Sequence, residues 1–140
     1  MTEQVRVMPD LGLIVKDHAK ALLAARGVDC TASQNVPANW DRKSKPHVQV
    51  LDSAPAITKG WGRVSASSGN ASIQLTVYAQ DSTEAKRIAN LLMALLFVGK
   101  LPRHIAQIGE GTGITSDRDP ETTAQFAFFT VRVTATTVPV

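Results

Sequence analysis

Histidine and cysteine are the residues of this chain best suited to nucleophilic or metal chemistry, and their spacing predicts neither. His18, His47 and His104 are far apart in the sequence, and no two of them have the short spacing of paired metal ligands. Asp17 and His18 are neighbours on a predicted helix, where their side chains diverge by about 100°. Cys30 has no histidine at a signature distance, so we expect a buried or half-buried thiol. These residues predict no catalytic group, no metal site and no cofactor.

The glycines at 109, 111 and 113 have a spacing that resembles part of a phosphate-binding loop. A dinucleotide-binding loop of that kind requires a strand before it and a helix that starts at its last glycine. Here the residues that follow are acidic and end at Pro120. The pattern therefore predicts a surface loop rather than a phosphate site of this type.

Three carboxylates alternate in the acidic segment that follows, at Asp117, Asp119 and Glu121. Calcium loops use a similar alternation, but they also need a central glycine and a distal glutamate, which this segment lacks. We therefore expect a long solvated loop from Gly109 to Thr123, with a formal charge of −3 between Glu110 and Glu121.

A basic segment of opposite character lies earlier in the chain. Arg42, Lys43 and Lys45 follow Trp40 and give residues 41–45 a charge of +2. Positive charge next to an aromatic ring is one way to bind nucleic acid. Four residues are too few for a binding groove, so a solvated or protein-facing loop is the preferred interpretation.

Polar loops of opposite charge on one small core suit a subunit of an assembly. A ring built head to tail needs two different, complementary surfaces on every subunit. From charge alone, we predict that the interface with other subunits or partners includes Trp40, Arg42, Lys43, Lys45, Asp117, Asp119 and Glu121.

The composition is that of one ordinary globular domain covering residues 1–140. Apolar residues make up 44% and charged residues 19% of the chain, and no apolar run approaches the ~18 residues of a membrane span. The net charge of +3 and the sequence pI of 9.3 make the chain mildly basic, but they do not amount to the clustered basic face of a dedicated nucleic-acid-binding protein. Met1–Gln4 does not resemble the start of a signal peptide, and a single cysteine excludes an internal disulfide. We expect the protein to fold in a reducing cytoplasm.

The segment from Ile73 to Gly99 gives the clearest structural prediction. Apolar residues at every second position of 73–79 predict a half-buried strand. Asp81-Ser82-Thr83-Glu84 has the pattern of a capping box, in which Asp81 accepts from the amide of Glu84 and the Glu84 carboxylate reaches back. An apolar stripe at helical spacing follows until Gly99 at the C′ position and Pro102 beyond it.

The remaining elements are predicted from similar periodicities. Helices are expected at about 10–26 and 82–98, and strands at about 47–52, 61–67, 71–79, 103–108 and 124–136. Residues 30–46 are predicted to be an extended loop with a short strand at its start. A hairpin around Ser68-Gly69 would place Val64 opposite Ile73 and Gly62 opposite Leu75.

The last strand changes its apolar phase at Phe128-Phe129, which predicts either a bulge or burial on both faces in a central position. The order of elements is helix, strand, hairpin, helix, strand, strand. It predicts an α+β fold with a single mostly antiparallel β-sheet and two helices packed on one face.

This order resembles the tail terminator, or tail completion, proteins of long-tailed bacteriophages. The resemblance lies in a helix at 10–26, a strand of the type His47-Val48-Gln49-Val50, and the strand-cap-helix from Ile73 to Ala85. It also includes Asp119-Pro120-Glu121-Thr122-Thr123 before a closing strand that ends in Val131-Arg132-Val133. It covers about residues 9–136.

The resemblance implies a virion structural protein without an active site or cofactor. Such a subunit would form a ring, a hexamer in the family, at the head-proximal end of the tail tube after assembly in the host cytoplasm. It would stop polymerisation of the tail tube protein and contact the neck or head–tail connector protein, with the genome passing through the ring lumen without specific binding and with no membrane contact. The alternative is a small nucleic-acid- or ligand-binding module, which the basic pI and the Trp40 loop favour.

Overall fold

The computed structural model describes residues 5–35, 40, 43–52, 56–57, 68–118 and 124–139. Within these residues the chain forms two helices, α1 (Leu11–Ala25) and α2 (Ser82–Val98). The strands are β1 (Arg6–Val7), β2 (Thr31–Ser33), β3 (His47–Asp52), β4 (Ala56–Ile57), β5 (Ser68–Ala79), β6 (Ile105–Gly111), β7 (Thr115–Arg118), β8 (Gln125–Thr136) and β9 (Val138–Pro139).

Helix α1, with Asp10 as its N-cap and Arg26 as its C-cap, agrees with the predicted helix at about 10–26. The Asp10 carboxylate accepts a hydrogen bond from the Leu13 amide at 3.1 Å, which satisfies one of the unpaired donors of the first turn. After Arg26, the chain leaves the helix through Gly27, whose φ of +77° lies in the left-handed region that a residue without a Cβ adopts easily. The side chains of Leu11, Val15, Ala19 and Leu23 form the buried face of α1.

Helix α2 confirms half of the predicted capping box. Asp81 accepts a hydrogen bond from the Glu84 amide at 2.8 Å, but the Glu84 carboxylate binds the guanidinium of Arg87 instead of reaching back. This ion pair lowers the pKa of Glu84. At the other end, Gly99 has an extended backbone with φ of −78°, and a Cβ there would lie 2.7 Å from the Leu95 carbonyl oxygen. The glycine is therefore needed for a close approach, not for a left-handed turn.

The main sheet has seven strands in the order β2-β3-β5-β8-β6, with β4 beside β5 and β7 beside β8. All its pairings are antiparallel except β2 with β3, which is parallel. The short β2 confirms the strand expected at the start of the 30–46 segment. Both helices contact the same face of this sheet, α1 over β2 and β3 and α2 over β5 and β8. The predicted α+β class is confirmed.

One continuous core lies between the helices and the sheet. Inward positions of the two long central strands alternate with outward ones, as period-two strands require. The largest fully buried side chains are Phe129, Leu11, Leu23, Ile73, Leu75, Ile88, Leu92, Leu96, His47, Val15, Val48 and Val50.

The predicted register of the central hairpin is wrong. Ile73 pairs with Asp52 on one side and Val131 on the other, and Leu75 pairs with Val50 and Phe129. A strand has only two hydrogen-bonding edges, so neither residue has an edge left for the expected partners Val64 and Gly62. The predicted strand at 61–67 lies outside the described residues.

The segment predicted as a long loop from Gly109 to Thr123 contains additional strand structure. Strand β6 continues to Gly111, and β7 pairs with the first part of β8, with Thr115 opposite Phe128 and Arg118 opposite Gln125. Together β6 and β7 cover the backbone edge of β8, which would otherwise lack partners for its amides and carbonyls.

The register of β8 distinguishes between the two structures that its change of apolar phase predicted, a bulge and burial on both faces. Its register with β5 runs without interruption over twelve pairs, so no bulge interrupts β8 on that side. Phe129 and Val131 lie in the core, whereas Phe126 and Phe128 lie half-buried on the opposite face. The two faces of a central strand are therefore both apolar in its first half.

A second, two-stranded sheet joins the two ends of the described chain. Arg6 and Val7 of β1 pair with Pro139 and Val138 of β9. The Arg6 guanidinium also donates to the hydroxyl of Thr137 at 2.9 Å. The sequence analysis did not predict this sheet, since two-residue strands carry no periodicity.

Candidate functional site

The face of the main sheet that points away from both helices carries the most distinctive side chains. We call it the helix-free face. One row of directly paired residues crosses five strands on this face: Thr31, His47, Tyr78, Phe126 and Asp117. With about 4.8 Å between neighbouring strands, this transverse row is roughly 19 Å long.

The middle of the transverse row belongs to an aromatic cluster. The ring centroids of Trp40 and Tyr78 are 5.6 Å apart in an edge-on arrangement, and those of Tyr78 and Phe126 are 5.5 Å apart. Phe128 extends the cluster at 6.2 Å from Phe126. Adjacent rings are tilted by 37° to 61°, so they pack on one another and do not form a flat stacking surface.

Of the predicted basic residues, Lys45 lies two residues before His47, beside the end of the transverse row formed by β2 and β3, which we call the basic edge. Trp40 donates its indole N–H to the Lys45 carbonyl at 2.9 Å, which fixes the segment that precedes β3. Lys45 forms an ion pair with Asp29 at 2.9 Å, and both side chains are mostly exposed. Exposed pairs of this kind contribute about 0–1 kcal/mol, so Lys45 can exchange Asp29 for another carboxylate. Lys43 is exposed, and Arg42 lies outside the described residues.

Of the predicted acidic residues, the structure describes Asp117, which lies at the opposite end of the row; we call this end the acidic edge. Asp117 is exposed on β7 and pairs with Phe126, so it is on the helix-free face. Its carboxylate accepts a hydrogen bond from the Arg118 amide at 2.7 Å. Strand alternation directs Arg118 to the other face. Asp119 and Glu121 lie outside the described residues. Of the predicted interface residues, Lys45, which precedes β3, is thus separated from Asp117 on β7 by the two central strands β5 and β8.

A buried histidine occupies the row beside the basic edge. His47 is only 1% exposed, with Nδ1 2.6 Å from the Thr31 hydroxyl and Nε2 2.9 Å from the Ser33 hydroxyl. Burial lowers the pKa of His47, and the hydrogen bond to the Asn35 carbonyl partly opposes this effect. No local sequence pattern predicts this cluster, because the partners of His47 come from β2, and nothing in the sequence indicates that β2 lies beside β3.

The serine–histidine contact does not have the arrangement of a hydrolase triad. In a triad, a carboxylate accepts from the second imidazole nitrogen and stabilises the imidazolium. Here a neutral hydroxyl, that of Thr31, occupies that place, and the Ser33 hydroxyl also donates to the Asn35 carbonyl. The cluster joins β2 to β3 across their parallel pairing.

The second half of the helix-free face is polar. Gln107 and Gly109 of β6 pair with Thr134 and Arg132 of β8, and these four residues line a groove of about 280 Å³. On the other side of β8, Arg132 pairs with Ser72 of β5. The sequence analysis did not single out Arg132, because a lone arginine in a strand has no pattern of its own.

The other candidate residues have ordinary environments. Cys30 is 5% exposed, as expected for a structural thiol, and burial raises its pKa. His18 is half-buried, and burial lowers its pKa. Among the described residues, no group of three His, Cys, Asp or Glu side chains could hold a metal ion. Neither helix in this part of the chain is long and apolar enough to cross a membrane.

Comparison with known proteins adds no relative. No protein-family model matches the sequence, and a search of curated proteins finds no match. The geometry of the helix-free face is therefore what indicates the function of this chain. Its two informative features are the charges at opposite ends of the transverse row and the groove beside Arg132.

Proposed function

We propose that this chain is a structural subunit of a phage virion, of the tail terminator kind. In this role it forms a ring that caps the head-proximal end of the tail tube, stops addition of further tube protein and joins the tail to the neck or head–tail connector. The hexameric state and the partners come from the resemblance of the sequence to that family.

The single observation that supports this function is the separation of unlike charges across one sheet. A head-to-tail ring requires each subunit to present a surface at one side that complements a different surface at the other side. The basic edge near Lys45 and the acidic edge at Asp117 meet that requirement, with β5 and β8 between them and about 14 Å from β3 to β7. Charge complementarity also orients the approaching subunit and rejects the reversed orientation.

The body between the two edges is stiff enough to fix their relative positions. Strands β5 and β8 pair over twelve residues each, and α2 covers them from one side. A close-packed core of this kind does not deform continuously. The angle between successive subunits in a ring would therefore be set by the shape of a single chain.

Termination of tube growth would depend on which surfaces the ring presents. A tube grows because each ring leaves an interface for the next one, and a ring with one tube-compatible face ends this growth. Loops and edges carry such specificity in proteins, while the core supports them. No bond-making step is required of any residue.

The ring contact is tested by charge reversal at each edge. The basic-edge variant carries Arg42→Glu, Lys43→Glu and Lys45→Glu, and the acidic-edge variant carries Asp117→Lys, Asp119→Lys and Glu121→Lys. Light scattering and negative-stain imaging should show rings for the natural chain, alone or with assembled tubes, and smaller species for each variant. Lys86→Glu on the exposed side of α2 is the control for charge reversal elsewhere, and it should leave the rings intact.

Mixing the two variants gives the sharper result. The basic-edge variant then has two negative edges and the acidic-edge variant two positive ones, so alternating copies restore every contact in a ring of even number. Recovery of rings in an equimolar mixture, and of capped tubes with tail tube protein, would support the proposal. Rings that survive either reversal alone, or a natural chain that stays monomeric with tubes present, would contradict it.

A further inference from the structure

The groove on the polar half of the helix-free face has the composition of an anion site. Among the residues whose side chains the structure describes, Arg132 is the one charged residue that lines it, and Gln107, Gly109 and Thr134 are the others. Arg132 is exposed, and the ion pairs seen among the side chains that the structure describes do not include it. A guanidinium in such a place has its hydrogen-bond donors directed to whatever enters the groove.

Glycine at position 109 creates the recess beside the guanidinium. Gly109 pairs directly with Arg132, so any side chain at 109 would project from the same face next to it. The three described atoms nearest to a Cβ at this position all belong to the Gln107 side chain, the closest at 3.4 Å, which is an ordinary van der Waals distance. The absence of a side chain is therefore not forced by crowding, and the space it leaves is open to a ligand.

We propose that the groove formed by Gln107, Gly109, Arg132 and Thr134 binds a phosphate oxyanion. The planar guanidinium matches two oxygens of a phosphate, and Thr134 and Gln107, which line the same groove, carry a hydroxyl and an amide that can donate to the others. The aromatic cluster is not part of this site. Phe126 lies six residues before Arg132 on β8, about 20 Å away, and its ring is tilted against its neighbours.

Asp117 does not oppose an anion in the groove. It pairs with Phe126, so it lies at the far half of the face, about 20 Å from Arg132. That distance is about twice the Debye length at 0.1 M salt, which screens the repulsion. The site goes beyond the proposed function and does not depend on ring formation.

Two sources supply the same chemistry, inorganic phosphate and the phosphodiester backbone of a nucleic acid. Fluorescence anisotropy of a labelled thymidine oligonucleotide with the full chain, starting at about 0.1 M salt, where the charge of Asp117 is screened, measures binding of the nucleic acid. Competition by inorganic phosphate against the labelled oligonucleotide measures binding of free phosphate. Displacement of the oligonucleotide by phosphate at millimolar concentration assigns the site to free phosphate as well, and binding without such displacement assigns it to the polynucleotide.

Matched variants locate the binding on the groove. Arg132→Gln should weaken oligonucleotide binding about tenfold, the loss of one charge-assisted contact, and reduce the slope of log affinity against log salt by about 0.7. Lys86→Gln on α2 removes the same charge from the opposite side and should change the affinity less than twofold. Gly109→Asp places a carboxylate against the guanidinium and should weaken binding as Arg132→Gln does. Gly113→Asp introduces the same charge at an exposed glycine, where a Cβ meets no described atom within 4 Å, and it should leave oligonucleotide binding unchanged.

Equal losses for Arg132→Gln and Lys86→Gln would overturn the proposal, because binding would then follow net charge alone. No binding of either probe to the natural chain would also overturn it. A change in particle size by Arg132→Gln without any change in affinity would assign Arg132 to a protein contact instead. Ring formation is scored separately by light scattering, so failure of the ring and failure of the anion site are distinguishable.

Discussion

Thr31 Oγ1 lies 2.6 Å from Nδ1 of His47, so a hydroxyl of the edge strand β2 holds the imidazole on β3. Ser33, two residues further along β2, holds the other ring nitrogen at 2.9 Å. Both ring nitrogens therefore have partners while the ring is nearly inaccessible to water. A second proton on this ring would turn an acceptor nitrogen into a donor and place a charge in a poorly solvated position.

We therefore predict that stability falls as the pH is lowered from about 8 to about 5.5. Burial lowers the pKa of His47 below the ordinary value of 6.5, so the unfolded chain binds more protons than the folded chain. The penalty is absent well above pH 6.5, begins as the unfolded histidine titrates and grows until the folded pKa is reached. Urea unfolding at several pH values measures it.

Two variants separate the contributions to this pH dependence. His18 is also shifted downward by burial and adds a slope of the same sign. His47→Gln should flatten the pH dependence while His18→Gln leaves the contribution of His47. An unchanged slope in the His47 variant would mean that its folded and unfolded pKa values do not differ.

Gly111 is predicted to be the sensitive glycine of the 109–113 segment. A Cβ at Gly111 would lie 2.7 Å from the Thr130 carbonyl oxygen, a backbone atom, at the register shift between β6 and β8. Gly111→Ala should lower the free energy of unfolding by about 1–3 kcal/mol. Gly113→Ala meets no atom within 4 Å and should change it by about 0.5 kcal/mol or less. Chemical denaturation of both variants tests this, and equal effects would refute the steric explanation.

The sequence is sufficient to locate those parts of the fold that have strong local patterns. Asp10 and Asp81 are followed by apolar residues at helical spacing, and both cap helices in the structure. The inward residues of β5 follow from simple alternation. Local signals of this kind do not depend on which strand lies next to which.

Features that depend on strand order could not be predicted in this way. The incorrect pairing of Ile73 with Val64 came from assuming that sequential strands form a hairpin, whereas the partner of β5 on that side is β3. The contact of His47 with Thr31 and the groove of Arg132 with Gly109 likewise join strands that are distant in sequence. The opposite charges were visible as segments, but their placement at opposite edges required the sheet.

The structure also changes how the acidic edge should be tested. From the sequence, deletion of residues 117–121 is expected to remove only a surface loop. In the structure Asp117 and Arg118 are part of β7 and pair with Phe126 and Gln125. Deletion would therefore expose the edge of β8, so substitution is the appropriate experiment.

Substitution of His104 by glycine is expected to stabilise the fold. Its φ of +69° lies in the left-handed region, and it is the one non-glycine residue there within the described chain. The left-handed backbone conformation destabilises a residue with a Cβ by about 1–2 kcal/mol, and glycine avoids this cost. Glycine also gives the unfolded chain more conformational freedom, which offsets part of the gain in stability. His104→Gly should raise the free energy of unfolding by up to about 1 kcal/mol, and His104→Val should lower it, as measured by denaturation. A stabilising valine would show that the backbone changes conformation freely at this position.

Leu92 on α2 provides the test of the core itself. Its side chain is fully buried between the helix and the sheet, so Leu92→Asp would bury a carboxylate without a partner and should abolish folding. Leu92→Ala leaves a cavity and should cost about 2–5 kcal/mol while the chain still folds. Ala94→Asp, at an exposed position of the same helix, has the same new charge and should be nearly neutral. Circular dichroism with thermal melts distinguishes the three, and a cooperative melt for Leu92→Asp would mean that α2 does not pack against the sheet as described.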